Sequence, residues 1–121
     1  MKLHPDATQG PTVTGYGPSW VAINGERFTA SLVFSAAGDR FDWGCDRFED
    51  LLPSHFDRVA ELDADLVIFG SGERLRFPNP ALLQALYAKR IGVETMDTHA
   101  ACRTYNFLAS EGRRVVAALL L

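Results

Sequence analysis

The C-terminal stretch "GVETMDTHAACRTYNFLASEGRRVVAALLL" (92–121) decides the fold. "VETMD" reads as a strand, Thr98 as the cap of a helix that Gly112 ends, and "RRVVAALLL" as a closing strand. On a wheel of about 100° per residue with Thr98 as origin, Ala101, Tyr105, Leu108 and Ala109 form one stripe. Cys102 lies at its edge, while His99, Arg103, Asn106 and Ser110 share a wetter flank. Phe107 points away from the stripe and hints at a second contact surface.

Working outward, "DLVIFGSG" (65–72) is an apolar run stopped by glycines, which suggests a strand covered on both faces. Asn79 as N-cap and Pro80 at the first helical position open a helix with Leu82, Leu83, Leu86 and Tyr87 as its buried stripe. Lys89 and Arg90 suit the end of that helix, and Gly92 stops it. The second half therefore alternates strand–helix–strand–helix–strand, which builds a sheet with helices packed on its faces.

The first half reads differently. Asn24-Gly25 favours a tight type I′ hairpin between strands at Trp20–Ile23 and Glu26–Ser35, after an extended piece at Thr12–Gly15. This hairpin adds antiparallel character, so a mixed sheet is expected. A turn follows at Gly38-Asp39, and residues 36–56 carry little pattern. Ser54, with Asp57 three positions on, is expected to cap a short helix that buries Phe56, Val59 and Ala60.

A chain of 121 residues suggests a single domain, 1–121. Its 47% hydrophobic and 22% charged residues are ordinary for a globular protein. A net charge of −3 disfavours nucleic acid as a partner, since phosphate binding needs clustered positive charge. Cys45 and Cys102 form no Cys-x-x-Cys unit. With no secretory signal at Met1–Asp6, both are read as reduced thiols in a cytoplasm. The apolar run Val115–Leu121 is too short to cross a bilayer, so no transmembrane segment is expected.

Two readings of the chemistry stay open. Cys102 is either a small buried residue or a nucleophile favoured by Arg103 and the helix start. Asp97 and Arg103 either brace the helix start or bind a ligand. If the strands ending at Gly70 and Asp97 are parallel, Gly70, Ser71 and Gly72 meet Thr98 at one sheet edge. There they either make a tight turn or line a crevice for a small anion, with Arg74 or Arg103 supplying charge. His4 and His55 are isolated, the later glycine of a dinucleotide fingerprint is missing, and no metal, cofactor or catalytic residue is assigned.

Taken with "DLVIFGSGERLRFPNPALLQAL", the C-terminal stretch resembles a family of small single-domain proteins catalogued as a domain of unknown function. The resemblance rests on Gly70 and Gly72, Gly92 to Thr98, Ala100 to Asn106, and Glu111 to Arg114, with "GYG" (15–17) and Asn24-Gly25 at the start. Mitochondrial members of that family are complex I assembly factors, and the adipogenesis-associated domain protein belongs to it. The resemblance implies a three-layer α/β fold: a mixed central β-sheet flanked by helices, plus an N-terminal β-hairpin. It transfers no catalytic residue. The expected function is a non-enzymatic protein–protein interaction module, an assembly factor for a respiratory or other membrane complex, with homo-oligomerisation left open. The alternative is a small anion- or metabolite-binding protein or a thiol-dependent enzyme, using the crevice near Gly70–Gly72 and Thr98–Arg103.

Overall fold

The computed structural model describes residues 10–121; Met1–Gln9, including His4, lie outside them. Among the described residues, eight strands divide between two sheets. The small one is an antiparallel meander of β1 (Val13–Gly17), β2 (Trp20–Ile23) and β3 (Glu26–Phe28). Asn24 and Gly25 have φ of 50° and 87° between β2 and β3, the positive pair that a type I′ turn requires.

The central sheet has five strands in the order β5-β4-β8-β6-β7. β6 (Leu66–Gly70) runs parallel to both β7 (Gly92–Met96) and β8 (Val115–Leu119). β4 (Leu32–Ser35) is antiparallel to β8 and to β5 (Arg40–Asp42), so the sheet is mixed. Its antiparallel part comes from β4 and β5, and the Asn24-Gly25 hairpin belongs to the separate sheet. The expected strand Glu26–Ser35 is accordingly two strands. They part at Ser31, whose N–H donates to Asp46 Oδ1 at 3.3 Å and whose carbonyl accepts from Trp43 N–H at 3.0 Å. A corner held by long-range bonds leaves no local mark.

β8 shows why the sheet is buried on both sides. Val116, Ala118 and Leu120 face one core with Trp43, Phe56, Val67, Phe69 and Leu86. Val115, Ala117 and Leu119 face the other with Val21, Phe34, Ile68, Ala101 and Tyr105. The first core is covered by α1 (Pro53–Ala60) and α2 (Gln84–Ala88), the second by α3 (Thr98–Ser110) and the small sheet. The connection from β6 to β7 runs one way along the sheet and that from β7 to β8 runs back. Crossovers of one hand then place their helices on opposite faces.

Three helix boundaries differ from the sequence reading. α1 starts earlier than Ser54 implies: Leu52 is its N-cap, Pro53 opens it, and the His55 ring accepts the Leu52 N–H at 2.9 Å through Nδ1. Pro80–Leu83 is a 3-10 turn before α2, capped by Asn79 as expected. Gly92 does not stop α2. Arg90 takes the left-handed position with φ 58°, Ile91 N–H returns to the Leu86 carbonyl, and Gly92 already belongs to β7. With α2 so short, Tyr87 falls off its buried side and is 48% exposed. In α3 the N-cap is Asp97, whose Oδ1 accepts the Ala100 N–H at 2.9 Å. Thr98 is the first helical residue.

Candidate functional site

β6, β7 and β8 are parallel, so their C-terminal ends meet at one edge of the sheet, where ligand sites of open α/β sheets form. Gly70, Ser71 and Gly72 leave β6 there, and α3 begins beside them. A Cβ on Gly70 would stand 3.1 Å from Thr98 Cα and 2.8 Å from a Leu119 methyl, so only glycine lets the helix start sit this close. Thr98 then locks three segments. Its Oγ1 accepts the Gly72 N–H at 2.9 Å and donates to the Leu120 carbonyl at 2.8 Å, while its own N–H donates to the Gly72 carbonyl at 2.9 Å. Ser71, also buried, donates its N–H to the Met96 carbonyl, and its Oγ accepts the Arg76 N–H at 3.0 Å.

A crevice of about 130 Å³ opens outside this lock, lined by Gly72, Glu73, Asp97, Thr98 and His99, with Gly17 opposite. Gly70 and Ser71 lie behind it. Cys102 and Arg103, grouped with it on sequence grounds, do not line it. The volume is below the roughly 300–1,000 Å³ of small-molecule sites. The Thr98 and Ala100 amides at the helix start are already engaged, by the Gly72 carbonyl and the Asp97 carboxylate, and Glu73 adds a second carboxylate to the wall. That electrostatic setting disfavours an anion.

Cys102 is fully buried in the second core. Burial is the main cause that pushes its thiol up to about 12, with Arg103 opposing and Asp97 reinforcing the shift. A nucleophilic thiol needs the opposite shift. Cys102 is expected to resist a mild alkylating agent in the native protein and to react once the chain is unfolded in urea, as read by intact mass. Labelling of Cys102 before unfolding would contradict the buried position.

On the wet flank of α3, Arg103 and Asn106 are turned toward the small sheet, as is His99, which also borders the crevice. Arg103 donates to the Tyr16 hydroxyl at 2.8 Å, and not to Asp97 or a loop carbonyl. His99 Nε2 lies 3.1 Å from the Gly17 carbonyl, with its ring 4.5 Å from that of Tyr16. Asn106 brackets Val13, accepting its N–H at 2.9 Å and donating to its carbonyl at 2.8 Å. The Tyr105 hydroxyl donates to the Pro11 carbonyl at 2.7 Å. Together these four side chains fasten residues 11–17 onto the helix. The helical period shows the flank in sequence, but not its partner, which lies more than eighty positions away.

At the other end of α3 a larger cavity, about 550 Å³, lies between Gly10–Thr12, the turn after β4, and Asn106, Ser110 and Arg113. Nothing in the sequence pattern pointed to it, because its walls come from three separate segments that carry no shared motif. Among the described residues no group of three or more His, Cys, Asp or Glu side chains could hold a metal ion.

The fold is shared with known proteins. A crystal structure of a Bordetella parapertussis protein superimposes with a TM-score of 0.86 at 40% identity, covering 91% of this chain and 94% of that one. A solution structure from Bordetella pertussis, described as a Mth938-like domain, gives a TM-score of 0.82 at 35% identity, covering 99% and 92%. The human NADH dehydrogenase [ubiquinone] 1 alpha subcomplex assembly factor 3 is 32% identical over 98% of this chain, which spans 65% of that relative's length. Residues 13–120, nearly all of the described chain, match one family profile. The chain belongs to the family described as protein of unknown function (DUF498/DUF598).

Proposed function

We propose that this protein is a non-enzymatic protein–protein interaction module that assists assembly of a membrane-bound respiratory complex. The observation that carries the reading is the match to the human assembly factor, at 32% identity over 98% of this chain. The geometry supports it from the other side. The reactive side chains of α3 are spent on structure: Cys102 on the core, and His99, Arg103 and Asn106 on the small sheet. Leu75 and Phe77 share one loop and are 51% and 71% exposed, which suits contact with another protein better than chemistry in a pocket.

Complementation tests the reading. The chain, fused to a leader that delivers it where the human factor acts, is expressed in human cells lacking assembly factor 3. Assembled NADH dehydrogenase is expected to reappear on native gels. A folded, correctly delivered protein that restores none would count against the assembly role.

A further inference from the structure

The two edge strands of the central sheet are finished differently. β5 is three residues long, and its Arg40 reaches Glu26 of the small sheet at 3.8 Å and lies 4.7 Å over the Phe28 ring. That edge is short and charged, in the usual protective manner. β7 is five residues long and contains no proline, lysine or arginine. Its pairing with β6 is regular throughout, without a bulge.

The register fixes which backbone groups of β7 are in use. Gly92 N–H donates to the Asp65 carbonyl at 3.2 Å, and the Met96 carbonyl accepts from Ser71 at 2.9 Å. Parallel pairing alternates, so Gly92, Glu94 and Met96 turn their amides toward β6, and Val93 and Thr95 turn theirs outward. Among the described residues, no hydrogen bond outside the strand pairing reaches the backbone of Val93 or Thr95. Glu94 is exposed between them, and Val93 and Thr95 are half-buried. The result is a row of free donors and acceptors with one negative charge at its centre.

We propose that the β7 edge docks an extended segment of a protein partner that places a lysine or arginine opposite Glu94. The inference rests on the interaction-module reading and adds to it a surface and a partner chemistry. Backbone bonds to Val93 and Thr95 would hold the added strand, and the Glu94 carboxylate would select its charge. A second copy of this chain is a poorer occupant. In the symmetric antiparallel register, Val93 pairs with the partner strand's Thr95 position and the two Glu94 side chains stand directly opposite each other, a destabilising like-charge pair.

The test uses the full chain, labelled for amide NMR, with two synthetic peptides: acetyl-Thr-Val-Lys-Val-Thr-amide and its counterpart with Glu in the central place. The Lys peptide is expected to slow hydrogen exchange at Val93 and Thr95 and to bind about threefold more tightly than the Glu peptide, a ratio typical of one cross-strand charge pair. Glu94→Lys is expected to reverse the ranking. Thr95→Pro removes an N–H that points to solvent, so the variant is expected to melt within a few degrees of the parent and to bind neither peptide. Three results would each overturn the proposal. These are unchanged exchange at Val93 and Thr95 at any soluble peptide concentration, equal binding of both peptides, or a dimer in sedimentation that Thr95→Pro abolishes. Complementation is scored separately, so loss of the edge and loss of the assembly role are distinguishable.

Discussion

Trp43→Ala is expected to lower the unfolding free energy by about 3–5 kcal/mol, the range for removing a fully buried aromatic side chain. Trp43 is 1% exposed and stands at the centre of the first core. Its ring meets Phe56 edge-on at 5.3 Å and Phe69 at 5.9 Å, and those two meet each other at 5.6 Å. Its indole N–H donates to the His55 carbonyl at 3.0 Å, which ties the start of α1 to the residue that follows β5. Truncation therefore leaves a cavity under three elements and removes the bond that ties Trp43 to the first turn of α1. Domains of this size have only about 5–15 kcal/mol in total, so the variant should unfold at far lower urea than the parent. Trp43→Phe, which keeps most of the volume and loses the hydrogen bond, should fall between the two. A loss below about 1.5 kcal/mol for the alanine variant would mean that the three rings are not the centre of this core.

That residue also marks where the sequence stops being legible. From residue 65 onward, apolar runs alternate with capped helical patterns, and every element is present in the order the pattern gives, with shifts only at helix ends. The physical reason is that strands covered on both faces and amphipathic helices carry their burial in local periodicity. Between residues 36 and 56 burial is instead delivered by single residues. Trp43 and Cys45 are buried and Phe48 packs against the core, yet none belongs to a run. The segment "DRFED" looks like a solvated face, although Arg76 lies 4.2 Å over its Phe48 and reaches Glu49 at 2.7 Å. Such contacts are set by the loop after β6, and no window of sequence contains both halves.

The candidate site divides in the same way. The meeting of Gly70–Gly72 with Asp97–Thr98 followed from two parallel strands and was legible. The wet flank of α3 was legible as a flank, but its destination was not, since Tyr16, Gly17 and Val13 belong to the small sheet. Asp97 and Thr98 were assigned in the wrong order for a comparable reason. Both residue types cap helices well. The choice between them is made by the Leu120 carbonyl and the Gly72 amide, which claim the threonine hydroxyl and leave the aspartate to cap.

Thr98→Val tests that assignment and is expected to cost about 2–4 kcal/mol, although valine has nearly the same shape and is more apolar. Thr98 is only 5% exposed, so transfer free energy alone would favour the substitution. Loss of the hydroxyl, however, strands the buried Leu120 carbonyl, at about 1–3 kcal/mol, and also leaves the part-buried Gly72 N–H without its partner, at a smaller cost. Thr98→Ser keeps both bonds and removes one methyl, for a loss of about 1 kcal/mol. The expected order of stability is thus threonine, serine, valine, the reverse of what burial of apolar surface gives for the last two. Urea unfolding reads the order, and the exchange rate of the Gly72 amide reads its cause, rising in the valine variant and staying low in the serine one. If valine matches threonine, the hydroxyl is not what joins the ends of β6 and β8 to the start of α3. The close approach would then rest on the missing side chain of Gly70 alone, where a Cβ would fall 3.0 Å from that same hydroxyl oxygen.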